Sequence, residues 1–353
     1  ILNDRREIIT LIGSSAFSQL ISVLIAPLLA YLYTPDDFGV LATYMSVLSI
    51  IHIFSAFGLE AAITIPEKKN EYLMLGILCI EVILIFCLIT PIFIFTFRNL
   101  IQIFFNEEII SIFIYLLPFG LLFRGLYKVS NYLILREEDY SLIVFGRIGQ
   151  STLGSLLSLF LSYLGPFGLI IGETFRQSSA GFFFINKLFI KNRKLLKKVS
   201  QKKINIALKK FKSFGFFNSQ AGIINIVGYE LPIMIFALNF DIKNVGFYYM
   251  AQKLLSTPLL LFGNSISQLF IGKAPYYFRN KTFYSFLRNK YKEIFVLTIF
   301  LAVILLMCLP IIINLFLGNE WKLTNKIIFL ISPMVFVDFY VSTLSQTFSI
   351  INK

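Results

Sequence analysis

Ten apolar stretches, each long enough to cross a bilayer as a helix, run through this 353-residue chain, at 8–33, 39–64, 72–96, 109–134, 140–163, 167–187, 213–238, 246–271, 292–317 and 326–350. A span needs about 20 apolar residues to cover roughly 30 Å of hydrocarbon. Inside lipid the backbone must satisfy its own hydrogen bonds, so such stretches become helices. The composition agrees: 57% of residues are hydrophobic, 14% are charged and the mean hydropathy is +0.78. The linkers are short, so little mass lies outside the bilayer. The fold predicted is an all-α integral membrane protein.

Seven prolines lie deep within these stretches. Pro27 and Pro232 occupy the first and seventh, Pro91 and Pro310 the third and ninth, Pro118 and Pro333 the fourth and tenth, and Pro258 the eighth. Membrane helices tolerate proline because neighbours re-satisfy the freed carbonyl. Interrupted helices at matching places point to a transporter built from repeats. Proline is common in membrane helices, so the loops have to support that reading. The turn after the first stretch reads Tyr33-Thr34-Pro35-Asp36-Asp37-Phe38-Gly39, and the turn after the seventh reads Asn239-Phe240-Asp241-Ile242-Lys243-Asn244-Val245-Gly246. Each is acidic and closes on an apolar residue plus glycine. A first lobe at 1–190, a basic linker at 191–212 and a second lobe at 213–353 follow, related by a pseudo-two-fold axis along the membrane normal.

Charge sets the orientation. With the N-terminus in the cytoplasm, 23 of the 32 Lys and Arg residues fall inside, 4 outside and 5 within spans. That asymmetry satisfies the positive-inside rule. The segment Lys187 to Lys212 carries eleven basic residues and no acid. Leu196, Val199, Ile206 and Phe211 share one helical face there. The segment reads either as a helix on the anionic inner leaflet or as a topology loop that is helical. Nothing in it reads nucleic-acid bases.

Ionisable side chains inside a membrane are costly and mark function or internal pairing. The basic ones are Arg124, Lys128, Arg147, Arg176 and Lys253. They form a candidate ladder for an anionic substrate, since arginine grips phosphate oxygens bidentately. Arg124 and Lys128 are four residues apart on one face, with Asn131 beyond them. Glu173 precedes Arg176 by three residues, so a local salt bridge is the competing reading. Glu81, Glu230 and Asp338 are candidates for ion coupling, and Glu60 is a further acid. Ser15, Gln19, Ser22, Gln220 and Asn225 are candidate sugar partners or helix-packing polars. His52, the only histidine, reads as buried and hydrogen-bonded. Cys79, Cys87 and Cys308 all fall in spans and read as packing residues. No metal-ligand spacing and no phosphate-binding glycine loop is present, so no cofactor is expected. The first stretch lacks a small-residue cleavage site and reads as a retained helix.

The run Leu32-Tyr33-Thr34-Pro35-Asp36-Asp37-Phe38-Gly39 is followed by Glu60-Ala61-Ala62-Ile63 and Pro66. Further on come Gly125-Leu126-Tyr127, Asn131-Tyr132, Tyr140 and Arg147-Ile148-Gly149-Gln150-Ser151. Together these resemble the O-antigen and polysaccharide-unit flippases of the multidrug/oligosaccharidyl-lipid/polysaccharide exporter superfamily. The likeness is close over the first five stretches and rests on topology beyond. One departure is that Gly58 and Leu59 stand where the family often carries an Arg-aromatic pair. The resemblance implies two six-helix lobes in a V, of which ten helices are seen here.

It also implies a flippase, not an enzyme, that moves polyprenyl-diphosphate-linked oligosaccharide across a bacterial inner membrane for surface polysaccharide such as lipopolysaccharide. Partners would be that lipid-linked oligosaccharide, anionic inner-leaflet lipids, and glycan polymerase and assembly machinery. A cation-coupled multidrug exporter of the same superfamily is the alternative. A membrane glycan polymerase or ligase is a lesser one, because the outer linkers are too short to hold catalytic bulk.

Overall fold

The computed structural model describes residues 2–66, 68–102, 105, 107–137, 139–192, 201–279 and 283–351. All regular structure among them is helical. Ten long helices coincide with the ten apolar stretches: α1 (Leu2–Leu32), α2 (Pro35–Ser55), α3 (Lys69–Thr96), α4 (Glu107–Glu137), α5 (Tyr140–Phe160), α6 (Pro166–Lys191), α7 (Gln201–Asn239), α8 (Ile242–Arg279), α9 (Phe283–Ile312) and α10 (Lys322–Ile351).

Six of the described helices are long and apolar enough to cross a membrane by length and composition alone. The four remaining long helices are α1, α4, α6 and α8, of which α4, α6 and α8 carry Arg124, Glu173, Arg176 and Lys253. Large apolar side chains coat the outside, among them Leu88, Ile92 and Phe95 of α3 and Phe300 and Met307 of α9. Such a coat is stable only against lipid. The protein is a multi-pass membrane protein.

The start of α2 is built by its sequence. Thr34 is the N-cap, with Pro35 in the first turn, where a missing N–H costs nothing. The Asp37 N–H donates to Thr34 Oγ1 at 3.3 Å, and the Thr34 N–H donates to Asp37 Oδ2 at 2.8 Å. This reciprocal pair satisfies two helix-end donors. α2 then runs buried through the middle of the molecule, against α4, α6, α7 and α8.

Glycine lets α2 and α8 meet. A Cβ on Gly39 would strike the Ile242 carbonyl, and one on Gly246 would strike the Pro35 carbonyl and lie 3.0 Å from the Gly39 nitrogen. The two glycines that close the equivalent turns in the sequence therefore lie against each other. Trp321, 1% exposed, packs beside this crossing. Its indole N–H donates to the Ala30 carbonyl at 3.2 Å and its ring meets Phe38 edge-on at 5.3 Å.

Three expectations change. The second apolar stretch is not one helix to residue 64: α2 ends at Ser55, and Phe57 and Gly58 turn left-handed at φ 47° and 68°. A 3-10 turn, Leu59–Thr64, follows. Gly58 permits that turn at little strain. The prolines do not break their helices either, since α1, α3, α4, α7, α9 and α10 continue through Pro27, Pro91, Pro118, Pro232, Pro310 and Pro333. Beyond Pro310 the chain leaves α geometry for a π turn, Ile313–Leu317. Residues 201–212 do not form a separate surface helix but continue into α7. Phe211 is buried there while Ile206 is 65% exposed, so the two do not share one buried face. Leu196 and Val199 lie outside the described residues.

One end of the bundle is tied by charge. Glu137, its side chain 6% exposed, meets Lys191 at 2.5 Å and Lys69 at 3.5 Å. It thus joins the ends of α3, α4 and α6. Burial pushes the Glu137 carboxyl up, but Lys191 and Lys69 outweigh burial and hold it below the usual carboxylate range. Arg136 donates to the Pro66 carbonyl at 2.9 and 3.0 Å, and Lys210 of α7 pairs with Glu71 of α3 at 3.0 Å.

Candidate functional site

A cavity of about 1030 Å³, counting the space open to its surroundings, lies between α1, α2, α4, α6, α7 and α8. Arg124, Arg176 and Lys253 line it, together with Glu173 and Glu230. Three cations against two carboxylates leave it net positive. Its neutral polar lining includes Gln19, Ser22, Ser49, Gln177 and Gln252.

Close helix packing places Arg176. A Cβ on Gly154 would run into the Arg176 backbone, so the glycine brings α5 against α6 at that level. From there the guanidinium grips Glu173 with two nitrogens, Nε donating to Oε2 at 2.8 Å and Nη2 to Oε1. Gln177 Nε2 donates to the same carboxylate at 2.9 Å, and Lys253 Nζ lies 3.9 Å from Oε2. Lys253 also sits over the Tyr249 ring, 5.4 Å from its centre. Glu173 therefore offsets part of the positive charge of Arg176 and Lys253.

Arg124 is held separately. Its Nη1 donates to Ser49 Oγ on α2 at 2.9 Å. The Glu230 carboxylate is within electrostatic reach of Arg124. Ser46 Oγ donates to the Glu230 backbone carbonyl at 3.3 Å, fixing α7 against α2 at this depth. Gln19 Oε1 is buried without a partner, an acceptor facing the cavity from α1.

The sequence candidates divide. Arg124, Arg176, Lys253 and Glu230 come together. Lys128 turns away and pairs with Glu60 at 2.5 Å, so it ties α4 to the 3-10 turn that follows α2. Arg147 lies within electrostatic reach of Tyr127, between α4 and α5. Glu81 does not line the cavity. Asp338 lines a neighbouring cavity of about 760 Å³, again counting the space open to its surroundings, which shares Tyr229, Ser256 and Leu260 with the first. Ser22 and Gln19 face the central cavity, whereas Gln220 and Asn225 do not line it. The Ser15 side chain lies outside the described residues. His52 Nδ1 lies 2.9 Å from Ser55 Oγ, a structural contact inside α2. Among the described residues no cluster of His, Cys, Asp and Glu is arranged to hold a metal.

Sequence reading passed over Ser49, Gln177, Tyr249, Gln252 and Ser256. The signal was there on α8: Tyr249, Gln252, Lys253 and Ser256 fall at i, i+3, i+4 and i+7, a polar stripe on an apolar helix.

A family model described as "Polysaccharide biosynthesis protein" matches residues 28–326. The match includes all five charged residues of the cavity. Curated proteins and solved structures gave no match.

Proposed function

The chain belongs to the polysaccharide biosynthesis protein family, and from that premise we propose that it is a flippase for polyprenyl-diphosphate-linked oligosaccharide. The family assigns it a role in polysaccharide biosynthesis or transport. The observation that carries the finer reading is the net positive, polar cavity enclosed by helices of a multi-pass membrane protein.

A diphosphate is the largest charge on such a lipid, and arginine pairs with its oxygens in a fixed planar fork. Arg124 is bound to a hydroxyl, so its guanidinium is the one an anion reaches without first displacing a carboxylate. Arg176 and Lys253 engage the anion by exchanging Glu173 for it. Gln19, Ser22, Gln177 and Gln252 supply donors and acceptors for sugar hydroxyls. Movement proceeds by alternating access, with the head group crossing through the cavity. Glu230 and Asp338 are the acids placed to couple this to a cation, because their two cavities adjoin. The chain acts in a bacterial inner membrane with its N-terminus inside. Its partners are the lipid-linked oligosaccharide, anionic inner-leaflet lipids, and the polymerase and assembly machinery that use the product. A drug exporter, whose cargo is usually cationic, fits a cavity with excess positive charge less well.

The test is the pool of lipid-linked sugars in cells lacking the gene. Oligosaccharide diphospholipid should build up on the cytoplasmic face, clear when the full-length gene is restored, and stay high with an Arg124→Ala/Arg176→Ala variant expressed at the same level. An unchanged pool with normal surface glycan would exclude the flippase. Clearance by the double variant would exclude these two residues.

A further inference from the structure

The charged cavity has an apolar annex. A slot of about 740 Å³, counting the space open to its surroundings, lies between α1, α8 and α9. Ala26 and Pro27 of α1 form one wall, Leu254 and Pro258 of α8 the second, and Leu305 and Leu309 of α9 the third. Its polar lining is Ser22, Lys253 and Thr257, and these three residues also line the central cavity. The two spaces therefore meet at Lys253.

Several features build the slot. Two of its walls carry prolines, each of which removes a hydrogen bond from its helix. Beyond the third proline, Pro310, the π turn Ile313–Leu317 carries Leu317 into the lining. Such turns recur at functional sites. Trp321 fills the space one helical turn beyond Ala26, through its bond to Ala30.

Within a bilayer an apolar slot offers a bare hydrocarbon chain nothing that lipid does not, because lipid tails are equally apolar. An occupant gains only by combining the slot with the charges at its mouth. That requires a molecule with an anionic head joined directly to a hydrocarbon chain. We propose that the slot receives the isoprenoid segment next to the diphosphate, so that the protein grips the tail as well as the head group. This rests on the flippase reading and extends it: the slot fixes the depth at which the diphosphate meets Lys253 and Arg176.

The test uses the purified full chain in nanodiscs of neutral lipid. The probe is geranylgeranyl diphosphate with a diazirine on its second isoprene unit, and labelled residues are mapped after irradiation. Labels are expected on Ala26, Leu254, Leu305 or Leu309. They should fall about tenfold in Lys253→Gln, as for the loss of one charge-assisted hydrogen bond, and also with excess inorganic diphosphate. Ala26→Phe should reduce labelling while leaving inorganic diphosphate binding unchanged. Labels confined to lipid-facing residues such as Leu24, Leu28 and Ile311, at equal levels in all variants, would overturn the slot. Equal labelling of the slot by diazirine geranylgeraniol, insensitive to Lys253→Gln, would keep a chain site and remove the head-group reading. Failure of both probes to label would remove both.

Discussion

At the scale of the residue, Glu173 governs the cavity. It is buried, and its carboxylate takes Arg176, Gln177 and Lys253 at once. In the proposed flippase a carboxylate so placed would do two opposing things: cancel charge in the absence of cargo, and compete with the diphosphate when cargo arrives. Glu173→Gln separates the two, since the amide keeps the shape and loses the charge. We expect inorganic diphosphate to bind the variant about tenfold more tightly, by one charge-assisted interaction, and transport to slow because release is hindered. Binding by calorimetry and flux in proteoliposomes report these effects. Weaker binding would mean that Glu173 orients Arg176 for the anion and does not compete with it. Arg124 and Lys128 show where reading from spacing stopped. Four residues apart, they share a face, and the sequence placed both toward substrate. They differ in depth by about 6 Å along the helix. That difference puts Lys128 at Glu60 and leaves Arg124 at Ser49. No local pattern could sort them, because the sorting partner is on another helix.

At the scale of the element, the hydropathy pattern located all ten long helices but not where they break. Period and length follow from lipid and are local. The turn at Phe57–Gly58 depends on one left-handed glycine inside a continuous apolar run, which a hydropathy window averages away. The crossing of α2 and α8 is the element-scale feature with the sharpest consequence. The parallel endings of the turns at Gly39 and Gly246 were legible, whereas their contact was not. Backbone atoms face both glycines, so an added side chain cannot be accommodated by a rotamer change. Gly246→Val should destabilise by about 1–3 kcal/mol or more, as overpacking does. Gly228→Ala, with nothing within 4 Å of its added methyl, should be neutral or mildly stabilising. Thermal unfolding in detergent compares them. Equal melting temperatures for the two variants would show that the crossing yields.

At the scale of the whole molecule, the two ends of the bundle differ in chemistry, and that difference supports one orientation in a membrane. One end gathers Lys69, Arg136, Lys191 and Lys210, tied to Glu137, Glu71 and the Pro66 carbonyl. The other end has the capped turn of Thr34 and Asp37, the Trp321 plug and the crossing of α2 with α8. The loop charge count and the three-dimensional grouping thus describe one polarity. Lysine and arginine near span ends are retained on the cytoplasmic side during insertion, so we propose that the basic end faces inward. On that proposal the end poor in basic residues, where the glycine crossing and the indole pack tightly, faces outward. A reporter fused after residue 105, in the linker from α3 to α4, should be active only in the periplasmic form. One fused after residue 200, at the entrance to α7, should be active only in the cytoplasmic form. Reversal of both signals would invert the molecule and place the α2–α8 crossing inside. A cytoplasmic signal at both positions would instead remove α4, α5 or α6 from the set of spans, and with it the frame that brings Arg124 and Arg176 to one cavity.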